Sequence, residues 1–131
     1  MAGQVEEFSF SDKLDIDFLK EVYEDDMEYA LDIFEIFLDT FEEEYGKLKA
    51  KIESSNCSDI RAAAHKMKPT FSMVGLTKIT KKFKKLEAAA KNDDCDSALE
   101  IFKEVDKTLL KKIPLIKSQK EQLSAFVNNS N

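Results

Sequence analysis

The chain has a single histidine, His65, and the residues around it are its best candidates for chemistry. A neutral imidazole presents one ring nitrogen as a nucleophile near neutral pH. On a helix, Arg61, Lys68, Pro69 and Ser72 stand four before and three, four and seven after His65, the positions that share its face. Cations beside a nucleophile suit an anionic group, and phosphoryl transfer through a loose transition state needs mainly an in-line nucleophile with positive charge near the spreading negative charge. His65 with Lys68 supplies that minimum. Spacing alone leaves Lys68 equally readable as an ordinary solvated lysine.

The element that must carry these residues is a helix over about residues 59–74, with Ser58 as its N-cap and Gly75 ending it where a residue without a Cβ is favoured. Its apolar stripe is Ile60, Ala64, Met67, Phe71 and Val74. At about 100° per residue His65 falls roughly 140° from that stripe. A lone histidine is most often a satisfied core residue or plain surface; this placement removes the core option.

The remaining elements follow the same period. Ile16, Leu19 and Val22 or Tyr23 predict a short helix over about 15–24. Asp25 and Glu28 have the spacing of a capping box, opening a long helix whose stripe runs Met27, Ala30, Phe34, Phe37, Phe41, Tyr45, Leu48 and Ile52, with Glu42, Glu43 and Glu44 outside. Residues 53–58 form a loop. Thr77 opens a helix with Ile79, Phe83, Leu86 and Ala90 inward and Lys78, Lys81, Lys82, Lys84 and Lys85 on its other faces. A last helix over about 95–126 buries Ala98, Phe102, Val105, Leu109, Ile113 and Ile116, with a kink expected at Pro114 and a frayed tail after Phe126. Amphipathic helices joined by short loops pack most simply as an all-α, antiparallel up-and-down four-helix bundle with the short N-terminal helix over one end. At 131 residues this is one domain, with a core over about 15–126.

Composition narrows the function classes. Between residues 1 and 60 there are 18 acidic and 5 basic side chains, and between 61 and 131 there are 8 acidic and 15 basic. The basic half invites a polyanion that the acidic half repels, which argues against nucleic acid. No apolar run is long enough to span a bilayer, and Glu6 and Glu7 stand where a secretory signal would be basic, so no membrane role and a cytoplasmic location are expected. Cys57 and Cys95 lie far apart with no metal-ligand spacing, so no metal site is expected and both are read as free thiols.

The run His65-Lys66-Met67-Lys68-Pro69-Thr70-Phe71-Ser72-Met73-Val74-Gly75 resembles the signature of histidine-containing phosphotransfer (HPt) domains: His, any residue, Leu/Ile/Met, Lys, usually Gly, Ser/Thr or small, then Gly ten residues after the His. Ala64 fits the small position before the histidine, Leu86-Glu87 resembles the Leu-Glu pair of the following helix, and Phe34 to Phe41 resembles the aromatic-rich helix upstream, so the likeness covers about residues 15–113. It implies a phosphocarrier in a two-component phosphorelay. His65 would take a phosphoryl group from one receiver-domain aspartate and pass it to another, and Lys68 would steady the phosphoryl oxygens. The implied partners are response-regulator receiver domains or a hybrid histidine kinase; the module would need no cofactor, because the receiver brings Mg²⁺. Arg61, Lys66, Pro69, Ser72, Gly75 and Lys78 form the expected docking face. Pro69 departs from the pattern, replacing the usual glycine and removing the donor that would have reached the His65 carbonyl.

Two other readings compete. A non-catalytic helical module presenting its basic face to an acidic partner has no use for an exposed nucleophile at His65. An independent enzyme lacks a second acid or base arranged with His65, a phosphate-cradling glycine loop and a metal cluster.

Overall fold

The structure is a computed structural model, and it describes residues 7–54 and 56–129. The expectations that touch Glu6, Ser55, Ser130 and Asn131 lie outside those residues. Among the described residues five helices follow in chain order: α1 (Ile16–Tyr23), α2 (Met27–Ser54), α3 (Cys57–Ser72), α4 (Thr77–Lys91) and α5 (Cys95–Asn129). Each of α2, α3 and α4 packs on its successor, and α5 returns to α2, which closes a four-helix ring with α3 and α5 on one diagonal. Connections this short force successive helices to run antiparallel.

The stripes fill the core as the period requires. Ala30, Phe34, Leu48, Ala64, Phe71, Phe83, Leu86, Val105 and Ile116 are fully buried. Phe71 sits at the centre, its ring 4.8 Å from that of Phe83 and 5.9 Å from that of Phe37. Phe41 and Ile113, expected inside, are half-buried at the margin. Buried Gln119 is satisfied on both sides, accepting from the Ser11 backbone N–H at 2.7 Å and donating to Gln122 at 3.0 Å.

Helix ends differ from expectation where two polar residues compete for one cap. Asp26, not Asp25, accepts from the Tyr29 N–H (3.0 Å), and Asn56, not Ser58, accepts from the Asp59 N–H (3.1 Å). α3 therefore starts two residues earlier than predicted and ends at Ser72. α5 runs through Pro114 as one helix and continues to Asn129, past the expected fraying point.

The two ends of the α3–α4 hairpin are held differently. At the turn end, Gly75 takes φ +82° and its carbonyl accepts from the Asp15 N–H (2.9 Å). Asp15 caps α1 through the Phe18 N–H and also accepts from the Thr77 hydroxyl at 2.7 Å. The Tyr23 hydroxyl donates to the Met73 carbonyl at 2.6 Å, so α1 is stitched over this turn. At the other end, Cys57 and Cys95, the first residues of α3 and α5, are joined in a disulfide with a Cα–Cα distance of 5.6 Å. This corrects the reading of two free thiols: 38 residues apart in sequence, they are brought together because both helices begin at the same end of the bundle.

Candidate functional site

His65 lies midway along α3 on the side that faces α4, with its side chain 69 % exposed. Its Nδ1 lies 2.7 Å from Glu87 Oε1; an ionised carboxylate only accepts, so Nδ1–H donates, and when the ring is neutral its lone pair is on Nε2. Lys68, one turn on, donates from Nζ to Glu87 Oε2 at 2.8 Å. One carboxylate thus orients the imidazole and holds the ammonium beside it. Glu87 and Lys68 are both mostly buried, at 17 % and 22 % side-chain exposure. Burial pushes the Glu87 carboxyl up, but the hydrogen bonds and charges of Lys68 and His65 outweigh it and hold its pKa below the ordinary value.

Glu87 is the residue that spacing did not single out for a role. A signal was present: α4 holds six lysines and one carboxylate, and that carboxylate follows the buried Leu86. Its partners lie 22 and 19 residues back on another helix, where no within-helix rule reaches.

The other candidates distribute around this triad. Arg61 lines a shallow cleft of about 310 Å³ with Ser58, Ala62, His65 and Glu87. Lys66 is exposed on the opposite flank and is paired with Glu44 of α2 at 3.1 Å. Glu44, expected outside the α2 stripe, is half-buried, and the Lys66 hydrogen bond lowers its pKa. Pro69 is exposed one turn after His65, within a helix that remains continuous. Ser72 is half-buried, its hydroxyl 2.7 Å from that of Thr80. Lys78 is exposed on the first turn of α4, whereas Gly75 is buried under Leu14 and Leu19 and shapes the turn instead of presenting a surface. Among the described residues, no group of three His, Cys, Asp or Glu side chains could hold a metal ion, and no helix is long and apolar enough to cross a membrane.

The sequence from 32 to 125 matches the family model described as Hpt domain. The chain belongs to the Hpt domain family. The match begins inside α2 and ends inside α5, so it spans the four bundle helices and leaves α1 outside; it starts and ends later than the likeness read from the sequence. No curated protein and no solved structure matches the chain. Hpt domains are histidine phosphotransfer intermediates of phosphorelays, not enzymes, and they work with two-component signalling partners. The four helices α2–α5 are the part of this chain that the family model covers.

Proposed function

We propose that His65 is the phosphoryl-carrying residue of a cytoplasmic module that relays between receiver-domain aspartates, with a hybrid histidine kinase or a response regulator supplying those receivers. The observation that carries this is the shared carboxylate: Glu87 binds His65 Nδ1 and Lys68 Nζ at once. Nε2 attacks the phosphorus of a receiver's aspartyl phosphate; the N–P bond forms, the P–O bond to the aspartate breaks, and the carboxylate leaves with the electron pair. Positive charge that develops on the ring is met by Glu87 through the Nδ1–H. Lys68 lies beside the incoming phosphoryl group and offsets its charge. Mg²⁺ belongs to the receiver's pocket. The return step runs the same displacement backwards toward a second aspartate. Arg61, Lys66, Pro69, Ser72 and Lys78 form the docking face, and Gly75 sets the turn beneath it.

The test is incubation with a receiver carrying labelled phosphate. Label is expected on His65 as an acid-labile, base-stable phosphoramidate. Full labelling of His65→Gln would end this reading.

A further inference from the structure

The α3–α4 hairpin is the part of the fold that carries His65, Lys68 and Glu87, and it is clasped at both ends. One clasp is α1 over Gly75, made of hydrogen bonds and packing. The other is covalent, between the first residues of α3 and α5. α3 and α5 are diagonal in the ring, so the bridge links two helices that the bundle's four packed interfaces do not join. It closes a loop with a sequence separation of 38 that contains the whole hairpin.

The two sulfurs are not equivalent toward a thiol. Cys57 is buried, whereas Cys95 is half-buried at the surface, so an attacking thiol reaches Cys95 first. The leaving sulfur is then that of Cys57, at the N-terminus of the 16-residue α3, where the backbone dipole favours a thiolate. The charges around Cys95 act on the attacker. Asp94 directly precedes it, held ionised by the Ser97 hydroxyl and N–H, and Asp93 and Asp96 are exposed beside it. On the Cys57 side, Asp59 is exposed enough to pair with Lys51 at 3.9 Å. An anionic thiol is therefore slowed relative to a neutral one, but not sterically barred.

We propose that Cys57 and Cys95 are a reversible dithiol–disulfide site that exchanges with low-molecular-weight thiols of the glutathione class and sets the stability of the phosphoacceptor hairpin. In reduction, a thiolate RS⁻ bonds to the Cys95 sulfur, the Cys57–Cys95 bond breaks, and the electron pair leaves on Cys57. A second RS⁻ attacks the mixed disulfide and releases Cys95. The products are RSSR and two protein thiolates, which take up the two protons released when the attacking thiols ionised; oxidation by the glutathione disulfide runs the same two exchanges in reverse. The readouts below involve no phosphoryl transfer, so the inference stands or falls apart from the role given to His65.

The full chain is equilibrated in buffers of varied reduced and oxidised glutathione, then alkylated, weighed intact and melted. Both cysteines are expected to become protected together as glutathione disulfide rises and to be released together as reduced glutathione rises, with neutral dithiothreitol acting faster than glutathione at matched thiolate concentration. The reduced protein stays helical, and oxidation raises its melting temperature by about 10 °C, because the bridge removes loop-closure freedom from the unfolded chain. Cys57→Ser, Cys95→Ser and the double variant should all melt with the reduced form and show no shift. Three outcomes would overturn the proposal: both thiols alkylating at every glutathione ratio, a bridge that resists reduced glutathione in the folded protein, or oxidised and reduced forms melting within about 2 °C of each other.

Discussion

Glu87 Oε1 lies 2.7 Å from His65 Nδ1, and the other oxygen of the same carboxylate lies 2.8 Å from Lys68 Nζ. An imidazole on one helix is thereby oriented by a residue on the next, and the cation one turn beyond it is held by the same group. Rotation of the imidazole away from this geometry would move both ring nitrogens and leave Glu87 paired with Lys68 alone. The site is therefore a property of the α3–α4 interface and not of α3 alone.

Glu87→Ala should slow phosphoryl uptake by His65 about tenfold, the scale of one charge-assisted hydrogen bond lost from the attacking ring. Glu87→Gln, which keeps an acceptor oxygen without the charge, should fall between the variant and the wild type. Lys68→Ala should slow transfer by about ten- to a hundredfold with the fold intact. Rapid-quench measurement of label on His65 checks all three; equal rates across the set would reduce Glu87 and Lys68 to surface decoration.

The same carboxylate makes stability depend on pH. Lys68 and His65 hold its pKa below the ordinary 4.5 against the opposing push of burial. A depressed folded-state pKa contributes stability that is fully present above the unfolded value and is lost as pH falls through the folded one. Wild type should therefore exceed Glu87→Gln in melting temperature near about pH 7, and the gap should narrow as pH falls below the ordinary carboxylate range. Other carboxylates acidify in parallel, so the difference between the two proteins is the quantity to plot.

Gly75→Ala should destabilise the protein by about 1–3 kcal/mol, because two penalties coincide. The residue has φ +82°, and an added Cβ would sit 2.8 Å from Leu14 Cβ and 2.9 Å from Leu19 Cδ1. α1 would have to shift off the turn. Loss of protection from amide exchange at the Asp15 N–H, ahead of the bundle helices, would show it, and a neutral substitution would mean that α1 is not tied to this turn.

Phe71→Ala should cost about 3–5 kcal/mol, since it removes a ring with no solvent exposure between Phe37 and Phe83 and leaves a cavity. Denaturant titration gives the number. A cost below about 1 kcal/mol would place Phe71 outside the core.

Association with a receiver should slow as salt rises, because screening shortens the reach of Arg61, Lys66 and Lys78 from about 8 Å at physiological ionic strength to about 3 Å at 1 M. Lys78→Glu should lower the association rate more than it raises the dissociation rate. Stopped-flow rates that stay flat with salt would assign docking to apolar contacts such as the groove beside Phe37, Phe41 and Met67.

Local periodicity was enough to determine the helices, their inward faces and the outward turn of His65, because those depend on a 3.6-residue repeat that each segment carries within itself. Ile60, Ala64, Met67, Phe71 and Val74 are all buried as that repeat requires. Caps were legible only to within two residues, since Asp25 and Asp26, or Asn56 and Ser58, are equally able acceptors and the path of the incoming chain decides between them. Glu44 falls outside the stripe by periodicity, and only the packing of α3 beside α2 brings it within 3.1 Å of Lys66. The carboxylate shared by His65 and Lys68, the seat of α1 on Gly75 and the pairing of Cys57 with Cys95 were decided by tertiary structure alone. Each joins groups on different elements, and the distance between them is fixed by how helices pack around a common core, a quantity that no single segment's spacing contains.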